Sequence, residues 1–284
     1  MGPFKFVSKP LILALTPVEI SQAERQLVAW WKFDETEGET TNDASGNDLN
    51  GTLVGAPQWQ PEGGKVGGAL VFDGVDDYVD CGYQESMNLT QAVSVSAWIK
   101  LAGPAEDQKI VSNQDNLSGG FKVSIFNNKI ELEVRDSGNM PAQNRSVEGG
   151  TVLEPDVWYH VVGTYCLGGS IKTYVNGKPD REVATQNMLG ASGGALVIGR
   201  EPFQNLYWFK GLMDDLQIYN YPLSETEVAG LFSGQLPSLV AQVETPTLSP
   251  EEQTEGNNWI PVTVILAAVI AAAALIARKR KTTA

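Results

Sequence analysis

The feature that most limits what this chain can fold into is a succession of short strand-like runs punctuated by turn residues. They are LVAWWKF, ALVFDG, DYVDCG, VSVSAWIKL, FKVSIFN, KIELEVRD, VWYHVVGTY, IKTYVNG, ALVIGR and LMDDLQIYN. Most alternate apolar with polar or are continuously apolar, as strands of a two-layer sandwich must be. The Asn127-Asn128 pair in FNNKIELEV and the Asn176-Gly177 pair in TYVNGKP tolerate positive φ and predict two tight hairpins. Twenty-nine glycines supply further turns. The fold class expected is all-β, an antiparallel two-sheet sandwich. The one soluble helix predicted is LSETEVAGLF, where Ser224 and Glu227 stand at capping-box spacing.

The formal charge of −14 argues against nucleic acid, because phosphate binding needs a basic face. The +4 of Arg278 to Lys281 is concentrated after an uncharged run, Ile260 to Ala277, in WIPVTVILAAVIAAAALIARKRK. As a helix that run spans about 27 Å, near the hydrocarbon thickness of a bilayer. Trp259 stands at the interfacial position, and the basic cluster marks the cytoplasmic side. Residues 259–277 therefore read as a transmembrane helix and 278–284 as a cytoplasmic tail. Residues 1–23, with Lys5, Lys9 and a Ser21-Gln22-Ala23 cleavage pattern, read as a signal peptide interrupted by Pro10 and Pro17. The Pro/Thr/Ser/Glu-rich stretch 236–258 reads as a disordered acidic stalk. One domain, 24–235, is left between them. The expected localisation is a cell membrane, crossed once, with that domain outside.

FDGVDDYVDCG places Asp73, Asp76, Asp77 and Asp80 within eight residues. Asp73-Gly74 reads as a turn, and strand alternation sends Asp77 and Asp80 to opposite faces, which disperses the charge. Backbone capping is the expected role, with Asp76 or Asp77 a secondary calcium candidate. NDASGNDLNG offers Asp43, Ser45 and Asn47, hard oxygen donors of the kind calcium prefers, in a turn-forming loop. Asx turns without metal are the alternative. Cys81 and Cys166 permit a disulfide in an exported chain, or two buried thiols. Phe203, Tyr207 and Trp208 in EPFQNLYWFKG are the aromatic residues in a loop where a sugar ring could stack, or they cover one end of the sandwich. The lone histidine, His160, has no second histidine and no nucleophile elbow with it and reads as a core or sheet-face residue.

In order, these motifs closely resemble the laminin G-like jelly-roll domains of the concanavalin A-like lectin/glucanase group, from about Leu27 to Phe232. The resemblance implies a sandwich of twelve to fourteen strands with one concave face. It also implies a structural calcium site that pairs the Asp43 loop with Asp214 and Asp215 of LMDDLQIY. Laminarinase-type members carry an acidic motif on one strand whose carboxylates share a face. The nearest counterpart here, Glu131 and Glu133, is followed on that face by Arg135 while Asp136 points away, so no catalytic residue is assigned. The function implied is non-catalytic binding of a glycan or glycoprotein at the cell surface, with structural Ca²⁺. A structural or adhesive envelope protein without a small ligand is the alternative, and a glycoside hydrolase the third. The sequence leaves the oligomeric state open.

Overall fold

The computed structural model describes residues 16–238, apart from 116–118, 137–143, 187 and 205. Its strands are β1 (Leu27–Trp31), β2 (Thr40–Thr41), β3 (Gly51–Val54), β4 (Gln58–Gln60), β5 (Ala69–Asp73), β6 (Tyr78–Asp80), β7 (Ala92–Leu101) and β8 (Asp107–Ser112). There follow β9 (Gly120–Phe126), β10 (Lys129–Arg135), β11 (Asn144–Glu148), β12 (Trp158–Cys166), β13 (Ser170–Val175), β14 (Lys178–Ala184), β15 (Val197–Ile198) and β16 (Lys210–Tyr219). Helix α1 spans Glu225–Phe232. They form two eight-stranded antiparallel sheets. Sheet A runs β14-β13-β12-β7-β16-β5-β4, with β1 also on β16, and sheet B runs β11-β10-β9-β8-β15-β6-β3-β2.

The expected strands all form, as do both hairpins. Asn127 and Asn128 take φ of 50° and 59°, and Asn176 takes 50° before Gly177 at 76°. The strands without an expectation, β2, β3, β4, β8, β11 and β14, are short, polar or at edges. Edge strand β14, KPDREVA, is exposed at nearly every position and begins with Lys-Pro, a composition that blunts further pairing but carries no apolar alternation.

The main core lies between the sheets, where Trp31, Phe33, Phe72, Phe121, Ile130, Leu132, Tyr165 and Phe209 interdigitate. A second cluster of Val162, Tyr174, Tyr219, Tyr221, Leu223, Val228 and Leu231 lies between the outer face of sheet A and α1. Ser224 caps α1 as expected: its hydroxyl accepts from the Glu227 amide, while the Glu227 carboxylate accepts from the Ser224 amide at 2.7 Å.

Strand β16 changes partners along its length. Lys210 to Met213 pair with β5, and Leu216 to Tyr219 with β1. The Asp214-Asp215 dipeptide sits at the change, in a bulge where Asp215 takes φ 48°. This break in the ladder explains polar residues inside an apolar strand.

Of the predicted signal segment, residues 1–15 lie outside the described residues. The Val18 amide donates to the Leu167 carbonyl at 2.9 Å, and Ile20 packs on the cluster beneath α1. Among the described residues no helix is long and apolar enough to cross a membrane. The predicted span 259–277, the tail 278–284 and the stalk beyond residue 238 lie outside them.

Candidate functional site

Asp73 ends β5 and Tyr78 opens β6, and the turn between them curls its carboxylates together. Ligand oxygens of Asp73, Asp76 and Asp77 lie within 4.8 Å of one another. The turn therefore gathers three charges that strand alternation was expected to disperse, because alternation begins only at Tyr78. Backbone donors offset part of the repulsion. The Asp77 carboxylate accepts from the Ala56 amide at 2.8 Å and the Asp73 amide at 2.9 Å, and Asp73 accepts from Val75 at 2.7 Å. Burial pushes the Asp77 carboxyl up from the ordinary aspartate value, against those amides and with help from Asp73 and Asp76.

Next to this turn stands an aromatic ledge. The Tyr78 and Trp208 rings are 5.9 Å apart, and the Arg200 guanidinium lies 4.0 Å from the Tyr78 centroid and 5.6 Å from that of Trp208. Arg200 is aimed by hydrogen bonds to the carbonyls of Glu201 and Pro202. Tyr207 is exposed, with the Lys109 ammonium 4.4 Å from its ring, and Phe203 is half-buried in the same loop. Gly199, at φ 95°, brings this loop against the acidic turn: a Cβ there would meet the Phe72 ring at 2.8 Å and the Asp77 carbonyl at 3.3 Å. The ledge and the acidic turn thus adjoin through Gly199.

Behind the ledge, the outer face of sheet B is a layer of matched charge. Register places Glu133 opposite Lys122, and their side chains pair at 3.2 Å. Lys109 pairs with Asp107, and the Ser112 hydroxyl donates to Glu201. Burial raises the Glu201 carboxyl above the usual glutamate range, opposed by Lys122 and Lys109. Several buried polar atoms here have no partner: both ends of the Gln114 amide, Oε1 of Glu133 and Nε of Arg200.

The residues expected to hold calcium are placed as follows. Asp43 accepts from the amides of Trp30, Ser45 and Leu49 and from the Ser45 hydroxyl, so its oxygens close an Asx turn. The Asn47 amide donates to the Leu27 and Val28 carbonyls. Asp214 accepts from the Lys65 and Val66 amides through one oxygen, while its other oxygen is buried without a partner. Desolvation, with Asp215 and Asp34 nearby, pushes the Asp214 carboxyl up to about 7. Asp215 accepts the Trp30 indole N–H at 2.7 Å. Trp30 therefore links the Asp43 loop to Asp215, by its backbone on one side and its ring on the other.

The disulfide that the sequence permits is not formed, and Cys81 and Cys166 are both buried free thiols. Alternation turns Cys81 into the core between the sheets and Cys166 to the outer face of sheet A, where it meets the Val18 carbonyl. His160 is buried on that same outer face and bonded to the Ser96 hydroxyl at 2.8 Å, as a sheet-face residue. Glu131 and Glu133 do share a face, but Glu131 is bonded to Ser124 and Glu133 to Lys122. Of the expected ligand residues, Trp208 and Tyr207 join the ledge. Tyr78, Arg200, Lys109 and Glu201 carry no local signal and are recruited only by the sheet and the Gly199 approach.

The architecture is shared with several solved structures. The binding domain of Paraclostridial Mosquitocidal Protein 1 matches with a TM-score of 0.61 at 18% identity, over 75% of this chain and 53% of that one. Domain 4 of AbnA, an extracellular arabinanase from Geobacillus stearothermophilus solved with arabinotriose, matches with a TM-score of 0.57 at 21% identity, over 73% of this chain and 98% of that one. The binding domain of Botulinum Neurotoxin DC in complex with SialylT matches with a TM-score of 0.53 at 16% identity, over 75% of this chain and 52% of that one. This chain thus spans about half the length of the toxin binding domains it matches. Among curated proteins no sequence matches significantly. The profile that does match at the sequence level covers residues 73–229, from the acidic turn through the ledge into α1. That stretch is more than half of the sequence and contains most of the sandwich, and the chain belongs to the concanavalin A-like lectin/glucanase superfamily.

Proposed function

We propose that the domain is a non-catalytic glycan-binding module and that the ledge of Tyr78, Arg200, Tyr207 and Trp208, with the acidic turn beside it, receives the sugar. The carrying observation is the joined surface of two neighbouring aromatic rings tilted by 54°, an oriented guanidinium and three gathered carboxylates. Sugar rings stack on aromatic faces, and their hydroxyls take planar charged partners. Arabinotriose with one similar fold and SialylT with another support the same class of ligand. A binding role agrees with the burial of Glu201 and Glu133 at 3% and 8% exposure, which leaves a glycosidic bond little access to either carboxyl.

A calcium ion belongs to this proposal. Asp73, Asp76 and Asp77 fit it, being hard oxygen donors already converged, and would hold it where it could accept sugar hydroxyls. The expected set of Asp43, Ser45, Asn47, Asp214 and Asp215 fits it less well, because the Asp43 oxygens already serve four donors. Display at a membrane through residues 259–277 completes the reading, with glycans or glycoproteins of the cell surface as partners.

The full chain in detergent, screened against a glycan array with and without calcium, tests this. Trp208→Ala should weaken any hit by about tenfold, the equivalent of about 1.4 kcal/mol. Binding that ignores this substitution would remove the ledge from the function. Calcium at about 100 times its dissociation constant would add about 2.7 kcal/mol to stability. A chelator should therefore lower the melting temperature of the wild type and leave that of Asp76→Asn unchanged. If Asp43→Asn is the variant that loses the response, the ion belongs at the Asp43 loop.

A further inference from the structure

The outer face of sheet A, opposite the ledge, opens beside the C-terminal end of α1 into a groove of about 450 Å³. Its mouth collects exposed apolar side chains: Val66 is 52% exposed, Phe232 41% and Leu236 54%. Apolar side chains converging on one concavity mark a contact surface more than scattered exposure does. Half-buried Trp30 forms part of the wall, and its ring is fixed by the 2.7 Å bond from its indole N–H to Asp215. Phe232 stacks at 5.5 Å on buried Trp98. The aromatic surface is thus held in place before anything binds.

Two cations overhang these rings. The Lys32 ammonium lies 4.5 Å from the Trp30 centroid and that of Lys65 lies 5.1 Å from Trp98. Among the described residues neither makes an ion pair within 4.0 Å, although the chain carries a charge of −14. The nearby acids have other duties: Asp215 holds the Trp30 indole, and Asp34 accepts from the Gly68 amide at 2.7 Å. An ammonium on an aromatic face gains about 0.5–1 kcal/mol at exposed sites and keeps most of its charge available to an anion. The lining carries both signs, Lys32 and Lys65 with Asp34 and Asp215; the carboxylates already accept hydrogen bonds, so the ammonium groups are the ones left to pair with a ligand.

We infer that this groove is a second binding site and that it takes a carboxylated sugar residue of the hexuronic acid kind. The ring lies against Trp30 and Phe232, the carboxylate pairs with Lys32 and Lys65, and hydroxyls reach Asp34 and Gln217. The site shares no residue with the ledge and lies on the other outer face, so the domain can engage two acceptors at once.

The test is a calorimetric titration of the full chain with sodium glucuronate and, separately, with methyl glucoside. Glucuronate should saturate the protein at least tenfold more tightly than the glucoside. Lys32→Gln with Lys65→Gln should abolish that preference, while Trp208→Ala should leave it intact. Equal binding of the two sugars, no binding of glucuronate, or an undiminished preference in the double variant would each overturn the inference. Loss of the preference in Trp208→Ala would also overturn it, by moving glucuronate to the ledge. Failure at the groove leaves the ledge reading standing, since that is tested by Trp208 and Asp76.

Discussion

On the outer face of sheet A, Asp214 and His160 are buried without an ion-pair partner among the described residues, whereas on that of sheet B Lys122 and Lys109 have carboxylates beside them. On sheet A, burial pushes the Asp214 carboxyl up to about 7 and the His160 imidazole down to about 4. Tyr219 and Tyr221 are pushed upward for the same reason. On sheet B, Lys122 faces Glu133 and Lys109 faces Asp107. The difference follows from what covers each face. Asp214 lies against the Lys65 and Val66 amides and His160 against the Trp98 and Phe232 rings, so neither meets an opposite charge and desolvation favours the uncharged form. On sheet B the counter-charge comes from the facing strand for Lys122 and from two residues earlier on its own strand for Lys109.

The largest expected effect breaks the apolar side of this comparison. Trp98 is 5% exposed and touches His160 and Phe232. Trp98→Ala should cost about 3–5 kcal/mol of unfolding free energy in urea titrations. It should also bring the His160 pKa back toward 6.5, which NMR would read.

Next comes pH. A carboxyl raised in the fold stabilises it fully below its ordinary value of 3.8, and that contribution is lost as pH rises through about 7. The range is worth on the order of 4 kcal/mol at most, from 1.36 kcal/mol per unit. His160 acts with the opposite sign. Lowered from 6.5 to about 4, it favours the fold above 6.5, and this is lost as pH falls toward 4. The two slopes oppose each other between about 4 and 6.5. Asp214→Asn should therefore leave stability falling as the solution is acidified below 6.5. His160→Gln should leave it falling as pH rises from 4 to 7. Parallel pH profiles for both variants would show that burial does not shift the two groups in opposite directions.

Smaller effects are expected on the charged face. Glu133→Gln leaves Lys122 without its partner and should cost roughly 1–3 kcal/mol. A double-mutant cycle with Lys122→Met should return part of that loss, because removing both charges leaves none unpaired. Smallest is Ser224→Ala, which removes the cap of α1 at about 1 kcal/mol and tests whether the lid frays before the sandwich melts.

The fold was legible because its signals are local. Alternation located the strands of the central ladder, Asn127-Asn128 and Asn176-Gly177 marked hairpins, and the Ser224–Glu227 spacing marked the helix start. Edge strand β14 was not legible, since an edge needs charge and proline more than apolar alternation. The site was legible only in fragments. Tyr207 and Trp208 stand out as loop aromatics, but Arg200 reaches them by a turn at Gly199, and Tyr78 arrives from another strand. Asp214 and Asp215 are expected as calcium ligands, yet the reason for an acidic pair at that point, a strand changing partners, exists only once β1, β5 and β16 are assembled.

Sequence by itself determined the all-β class, the hairpins, the capped helix, the acidic character and membership in this superfamily, because each rests on spacing along the chain. Tertiary structure alone decided that Asp73, Asp76 and Asp77 converge, that Cys81 and Cys166 face different layers, and that Trp30 with Lys32 lines a groove beside α1. Charge, burial and aromatic contact are set by neighbours in space, and those neighbours are far apart along the chain.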